Sequence, residues 1–315
     1  MRVAVMERPG SFELREEPVP AIGRDDVLLR VVACGVCTSE LDMWSGLAGH
    51  AVYPWYPGHE VSGVVEAVGD DVSSLSQGDA VAAWVTTRGY ADVVAVPQEH
   101  CFPSGDVPLH LALGEPLACA VNVVELAEVA LADDVVVIGA GFMGLLALEL
   151  VLLRGPRHVI VADARAEALE RARKLGATHV VDVSSESLED AVKGLTGGAG
   201  ADVTFEMTGV QDALTAAGDV TRMSGTVVIG GYHQGEPRQI PLAAWNWMAF
   251  RIANGHFRDV GTILRGMRRG MRLLTSGRIS LDGLVTHRFE LERIDDAFRT
   301  AVERPDGFVK ATVEP

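Results

Sequence analysis

Two rhythms of hydrophobic positions divide the chain. Up to about residue 97, short runs rich in Val and Ala cover residues 27–33, 62–68, 79–83 and 90–96. Turn residues such as Gly69-Asp70-Asp71 and Gln77-Gly78-Asp79 cut between them. Runs of this length between Gly and Asp predict strands, and the chain also opens on a strand-like Met1-Arg-Val-Ala-Val-Met6. The first part therefore reads as a small antiparallel β domain. A helical stretch over residues 115–130 leads into a different pattern, with strands at 135–138, 158–162, 179–183, 202–206, 226–230 and 250–253. Between them lie helices that include 145–153, 164–175 and 187–195, with stop signals at Gly176 and Gly197-Gly198. Alternation of this kind predicts an α/β doubly wound parallel sheet. After Phe257 come a basic helix (260–275), a strand (284–289), a helix (291–302) and a last strand (307–313). The second sheet is already complete by then, so these elements are expected to return to the first domain.

One local pattern gives the second sheet a purpose. Gly139-Ala-Gly-Phe142-Met143-Gly144 follows the apolar run Val135-Val-Val-Ile138 and opens a helix, and Asp163 closes the next apolar run. In a dinucleotide fold Gly139 permits the tight turn, Gly141 lets the backbone approach the pyrophosphate, and Gly144 allows close packing of helix on strand. The helix N-terminus then faces the phosphates with unpaired N–H groups. An acid about 20 residues further on suits the adenosine ribose diol and repels a 2′-phosphate. Asp163 therefore points to NAD, while Arg165, two residues later, keeps NADP in view.

Composition narrows the partners. A chain of 315 residues with 48% hydrophobic and 22% charged positions suits two well-packed domains. A formal charge of −16 argues against nucleic acid, which needs a basic face, and against an anionic membrane surface. The start of the chain lacks the charged, apolar and small-residue zones of a signal peptide. The apolar stretch 145–153 is too short to span a membrane and ends at Arg154-Gly-Pro156. The four cysteines, at 34, 37, 101 and 119, have no secreted disulfide spacing, and a reducing cytoplasm is expected.

Chemistry concentrates in the first part. Cys37, His59, Glu60 and Glu115 each stand in or beside a Gly- or Pro-marked segment: Cys34-Gly-Val-Cys37, Pro57-Gly-His-Glu60 and Gly114-Glu-Pro116. Thiolate, imidazole and carboxylate together suit zinc, which keeps a fourth position for water or substrate in catalytic sites. Cys34-x-x-Cys37 alone is no zinc knuckle, because that needs a second Cys pair.

These segments, with Thr38-Ser-Glu40, Gly63-x-Val-x-x-Val-Gly69, Gly89-Tyr-Ala91, Glu115-Pro-Leu117 and Gly139–Gly144, resemble the zinc-dependent medium-chain alcohol and polyol dehydrogenases over essentially the whole chain. The resemblance implies a GroES-like catalytic domain (1–118 and 259–315) interrupted by a Rossmann NAD-binding domain (119–258), with the active site in the cleft between them. It implies Cys37 and His59 as zinc ligands and Glu60 and Glu115 as the acidic ligands of the polyol branch. Glu60 is also a candidate for exchange with water. Ser39 would take the alcohol proton, and Glu40 would orient the ligand histidine. Cofactor contacts fall on Gly139, Gly141, Phe142, Met143, Gly144, Asp163 and Arg165. Relatives associate as homodimers or homotetramers.

Departures from the family pattern are equally specific. Trp84-Val-Thr-Thr-Arg-Gly89 runs straight on where many relatives carry four cysteines, which implies one catalytic and no structural zinc. Asp42 stands where several relatives end the proton relay with a histidine. Trp44, Trp55 and Trp84 either line the cleft or pack, and His233 and His256 either touch a hydroxylated substrate or are structural. Trp245-Asn-Trp247 is a cleft wall or an oligomer contact. The expected function is hydride transfer between a secondary alcohol, of the polyol, sugar alcohol or cyclitol kind, and NAD. The alternatives are a zinc-free quinone or enone reductase and a non-catalytic nucleotide-binding protein of the same fold.

Overall fold

The computed structural model describes residues 1–47 and 52–315, and the chain divides into two compact units, Met1–Ala118 with Asp259–Pro315 and Cys119–Arg258. The first unit begins with a hairpin of β1 (Arg2–Arg8) and β2 (Ser11–Glu16), followed by β3 (Asp26–Gly35) and the short α1 (Thr38–Trp44). Then come β4 (Glu60–Val68), β5 (Ala80–Trp84), β6 (Val93–Pro97) and β7 (Cys101–Pro103). Helix α2 (Gly114–Ala127) passes out of this unit.

The second unit holds β8 (Asp134–Ile138), α3 (Phe142–Leu152), β9 (His158–Asp163), α4 (Ala166–Lys174), β10 (His179–Asp182) and α5 (Leu188–Leu195). It continues through β11 (Ala201–Glu206), α6 (Gln211–Val220), β12 (Thr221–Ile229), α7 (Leu242–Trp247) and β13 (Arg251–Asn254). The chain returns to the first unit with α8 (Val260–Thr275), β14 (Val285–Glu290), α9 (Ile294–Glu303) and β15 (Lys310–Glu314).

The six strands of the second unit are all parallel, in the order β10-β9-β8-β11-β12-β13. Every residue of β8 is buried, as expected of a strand covered on both faces, where a continuous apolar run replaces alternation. Strand order reverses beside β8, and that is where doubly wound sheets bind ligands, outside the carboxyl ends of their strands.

The first unit differs from the expected antiparallel domain in one respect. Its larger sheet runs β14-β15-β3-β4-β5-β7 with β6 also on β3, and β14 pairs with β15 in parallel. The parallel pair is joined by α9, a crossover no hairpin could make. Ile294, Ala297, Phe298 and Ala301 on one face of α9 enter the core formed by β3, β4 and β6. Phe298 meets Phe12 and Tyr90 edge-on at ring-centroid distances of 4.8 and 5.8 Å. The last residues are thus part of the first unit's core.

One helical stretch is long and apolar enough to cross a membrane, as the run 145–153 is not: Leu109–Ala127, 19 residues with mean hydropathy 1.3. Its window is 61% buried within the protein, and it carries Glu115 and Pro116. These are properties of a core helix.

The glycine motif behaves as its spacing requires. Gly139 has φ of +103°, and a Cβ on Gly144 would lie 1.8 Å from the Gly139 carbonyl oxygen, so helix α3 seats directly on its own turn. A Cβ on Gly141 would meet nothing within 4 Å; the space beside it is open to a ligand. Gly144→Ala is expected to lower stability by at least the roughly 1–3 kcal/mol of overpacking. Gly194→Ala, in α5 where a Cβ also meets nothing within 4 Å, should raise it by about 0.5–1 kcal/mol. Urea midpoints check both, and equal shifts would refute the seating of α3.

Candidate functional site

The first unit's central strands converge on one cluster. Gly35 ends β3, pairs with Glu60 at the start of β4, and faces Thr312 of β15. Two residues beyond Gly35, Cys37 is the N-cap of α1 in extended conformation, and Ser39 and Glu40 follow in its first turn. Sulfur, imidazole nitrogen and carboxylate oxygen of Cys37, His59 and Glu60 all lie within 4.8 Å of one another, the one such group of three among the described residues. The Ser39 hydroxyl donates to Cys37 Sγ at 3.4 Å.

Glu40 arranges the histidine. Its carboxylate, 1% exposed, accepts from Gly58 N–H (2.7 Å) and from the Tyr90 hydroxyl (2.6 Å), and lies 2.7 Å from His59 Nδ1. Beside a carboxylate Nδ1 carries a hydrogen, so a metal would bind at Nε2, taking the place of any proton there. Burial works against a charged ring, yet Glu40 and Cys37 outweigh it and raise the His59 pKa well above its ordinary value. Burial likewise opposes ionisation of Glu40, but His59, Tyr90 and the Gly58 N–H hold its pKa low.

Lys310 was not anticipated. This lysine, 6% exposed at the start of β15, places Nζ 2.9 Å from Glu60 Oε1 and 2.6 Å from Oε2. Desolvation pushes its pKa down, and the charges of Glu60, Cys37 and Glu115 more than reverse that. Gly35 makes room for the pair: a Cβ there would sit 1.9 Å from Glu60 Oε2 and 3.1 Å from Lys310 Cε. Glu115 lies in the first turn of α2 and acts on the same ammonium, but it is outside the close group of three donors. A lysine in a terminal strand carries no motif; its only signal is its place inside the uninterrupted buried run Phe308–Val313.

In the second unit, Asp163 ends β9 with both oxygens engaged. Ala140 N–H donates to Oδ2 (2.8 Å), Arg165 N–H to Oδ1 (2.9 Å), and the Arg165 guanidinium to both (3.0 and 3.1 Å). Burial raises its pKa, and these donors overcome that and lower it. Gly141 caps α3, whose first residues are the buried Phe142 and the half-buried Met143.

The remaining candidates resolve mostly into packing. Trp44 and Trp55 lie against the first core, and Trp84 is buried with its ring 4.9 Å from that of His100. Trp245 is buried against Phe250, whereas Trp247 is 79% exposed. His256 Nε2 lies 3.0 Å from the Gly231 carbonyl oxygen, and His233 pairs with Glu206. Asp42 is half-buried, and desolvation raises its pKa.

Comparison with known proteins agrees with this geometry. Residues 23–109 match the alcohol dehydrogenase GroES-like domain, and residues 143–261 match the zinc-binding dehydrogenase family. The chain is 31% identical to sorbitol dehydrogenase of Ovis aries, covering 94% of this chain and 92% of that one. It is 28% identical to D-xylulose reductase of Saccharomyces cerevisiae, over 98% and 96% of the two chains. A crystal structure assigned as a zinc-binding dehydrogenase from Sinorhizobium meliloti, bound to NADP, superposes with a TM-score of 0.87 at 26% identity, covering 100% of this chain and 99% of that one. With both family matches and a relative of this closeness over nearly its full length, the chain belongs to the zinc-dependent medium-chain alcohol and polyol dehydrogenases and is an oxidoreductase working with zinc and a nicotinamide nucleotide.

Proposed function

We propose that this enzyme interconverts a secondary alcohol of a polyol, sugar alcohol or cyclitol with its ketone, using NAD and one catalytic zinc ion held by Cys37 and His59, with Glu60 and Glu115 as the acidic ligands. The convergence of Cys37, His59 and Glu60 beside the Ser39 hydroxyl carries this reading. A tetrahedron with arms of about 2.0–2.3 Å sets its corners roughly 3.5 Å apart. Donors within 4.8 Å of one another therefore close on one ion by side-chain rotation. The mixed S, N and O set suits zinc. A zinc-free reductase would have no use for it.

The bound ion would supply a Lewis acid that lowers the pKa of the substrate hydroxyl. The protein does the rest. Glu40 fixes the His59 ring, and Ser39 would accept the alcohol proton while passing its own to water or the cofactor ribose, since a hydroxyl donates and accepts at once. Acidic and cationic groups around the donors offer partners to the extra hydroxyls of a polyol, and the relatives named for sorbitol and xylulose lie in the same direction. A single zinc is supported by residues 85–92, which hold no cysteine, and by the burial of Cys34 and Cys101. Asp163 supports NAD: backbone N–H groups place its carboxylate, and the Arg165 guanidinium is already engaged by it. Self-association as a homodimer or homotetramer is supported by exposed Leu242, Trp247 and Ile252 at and near the edge strand β13.

Zinc-loaded protein is expected to form NADH with members of a panel containing sorbitol, xylitol, galactitol and inositol. Cys37→Ala should lose zinc and turnover while still binding NADH. Ser39→Ala should keep its zinc and lose roughly 10²-fold or more in kcat. Zinc-free turnover of the panel would overturn the assignment.

Asp163→Ala should erode the preference for NAD over NADP, read as the ratio of kcat/KM for the two; an unchanged ratio removes Asp163 from cofactor choice.

Lys310→Met leaves the Glu60 carboxylate buried without its cation, a change that costs about 3–5 kcal/mol in comparable buried pairs. Metal-free variant should melt well below metal-free wild type. Added zinc should recover more of the loss in the variant, because Glu60 is then free to ligate. Equal zinc-induced shifts in Tm would show that Lys310 and the ion do not compete.

A further inference from the structure

A second buried carboxylate organises the other unit, and no role has been given to it. Glu206 ends β11 with no solvent exposure. Its Oε1 accepts from Thr208 N–H (2.7 Å), Gly209 N–H (2.9 Å) and the Thr208 hydroxyl, all in the loop that follows. Its Oε2 lies 2.8 Å from His233 Nε2, in the loop after β12. Beyond the ring, Arg238 Nε donates to His233 Nδ1 at 3.2 Å. The other guanidinium nitrogens of Arg238 donate to the carbonyl oxygens of Gly209, Gln234 and Glu236.

The hydrogen-bond sense fixes the protonation. Arg238 can only donate, so Nδ1 of His233 is the acceptor and Nε2 carries the hydrogen given to Glu206. His233 therefore joins the Arg238 cation to the Glu206 anion through its two ring nitrogens. It spans two loops that are pressed together: a Cβ on Gly231 would lie 2.2 Å from Gly209 N and 2.5 Å from Glu206 Oε2. A third loop joins them through His256 Nε2, 3.0 Å from the Gly231 carbonyl oxygen.

The location identifies what these loops serve. A dinucleotide fold has two mononucleotide-binding halves, and ligand lies outside the carboxyl ends of the strands. Asp163 ends β9 in the first half and would face the adenosine. Glu206, Ile229 and Asn254 end β11, β12 and β13 in the second half, which leaves the nicotinamide nucleotide to the loops that follow them. We infer that the Arg238–His233–Glu206 line is a positioning device that holds those loops in the shape that receives the nicotinamide half of the cofactor. It rests on the reading of this unit as the cofactor domain and is indifferent to the choice between NAD and NADP.

Calorimetric titration of the zinc-loaded full chain with NADH and with AMP separates the two halves. His233→Leu removes both the donor and the acceptor, and is expected to raise the NADH Kd about tenfold while the AMP Kd stays within about twofold of wild type. His233→Gln, whose amide both donates and accepts, should restore most of the NADH affinity. An unchanged NADH Kd in His233→Leu, an equal loss for AMP, or no recovery with glutamine overturns the inference. Failure of the cofactor reading shows separately, as wild-type protein that binds neither ligand.

Discussion

The Glu40 carboxylate is the constraint on which the first unit's chemistry depends. A buried charge is tolerated only when it is paired and hydrogen-bonded, and this one is satisfied by three segments distant in sequence. Glu40 itself comes from α1, Gly58 and His59 from the turn before β4, and Tyr90 from the loop before β6. The same carboxylate thus links the packing of these three segments to the orientation of the His59 ring. The Tyr90 ring, fully buried against Phe298 of α9, ties the same network to the end of the chain.

Much of this was legible from residue order alone. The parallel sheet could be read because strands covered on both faces leave unbroken apolar runs, and helix α8 because its amphipathic stretch begins at Asp259, whose side chain caps it. Elements with weak local signals escaped. Strand β2 alternates Phe12 and Leu14 with polar residues over only six positions, none of them buried, α1 has only seven residues, and α6 and α7 carry no side-chain cap. The parallel pairing of β14 with β15 depends on α9 packing, which local pattern does not encode. At the site, Cys37, His59 and Glu60 stand out by residue type and flanking glycines. Lys310 was invisible because its partner lies 250 residues away, and His233 could be placed after a strand but not matched to Glu206.

The two units solve a related problem with opposite emphasis. In the first, a buried acid orients a histidine so that only the far nitrogen is available to a ligand. In the second, Glu206 engages one nitrogen of His233 and Arg238 engages the other. Asp163 is an intermediate case, saturated by donors within the protein yet at the carboxyl end of a strand where a ribose would lie.

Charge around the proposed zinc ligands explains why a lysine belongs there. Cys37, Glu60 and Glu115 bring potentially anionic groups together around one buried lysine. The Lys310 ammonium offsets that charge while the ion is away, and in doing so it occupies the oxygens of one acidic ligand. A divalent ion held among Cys37, His59 and Glu60 would compete with the Lys310 ammonium for the same Glu60 oxygens. Glu115 acts on the same ammonium, so in the proposed site either acid could serve the ion while the lysine holds the other.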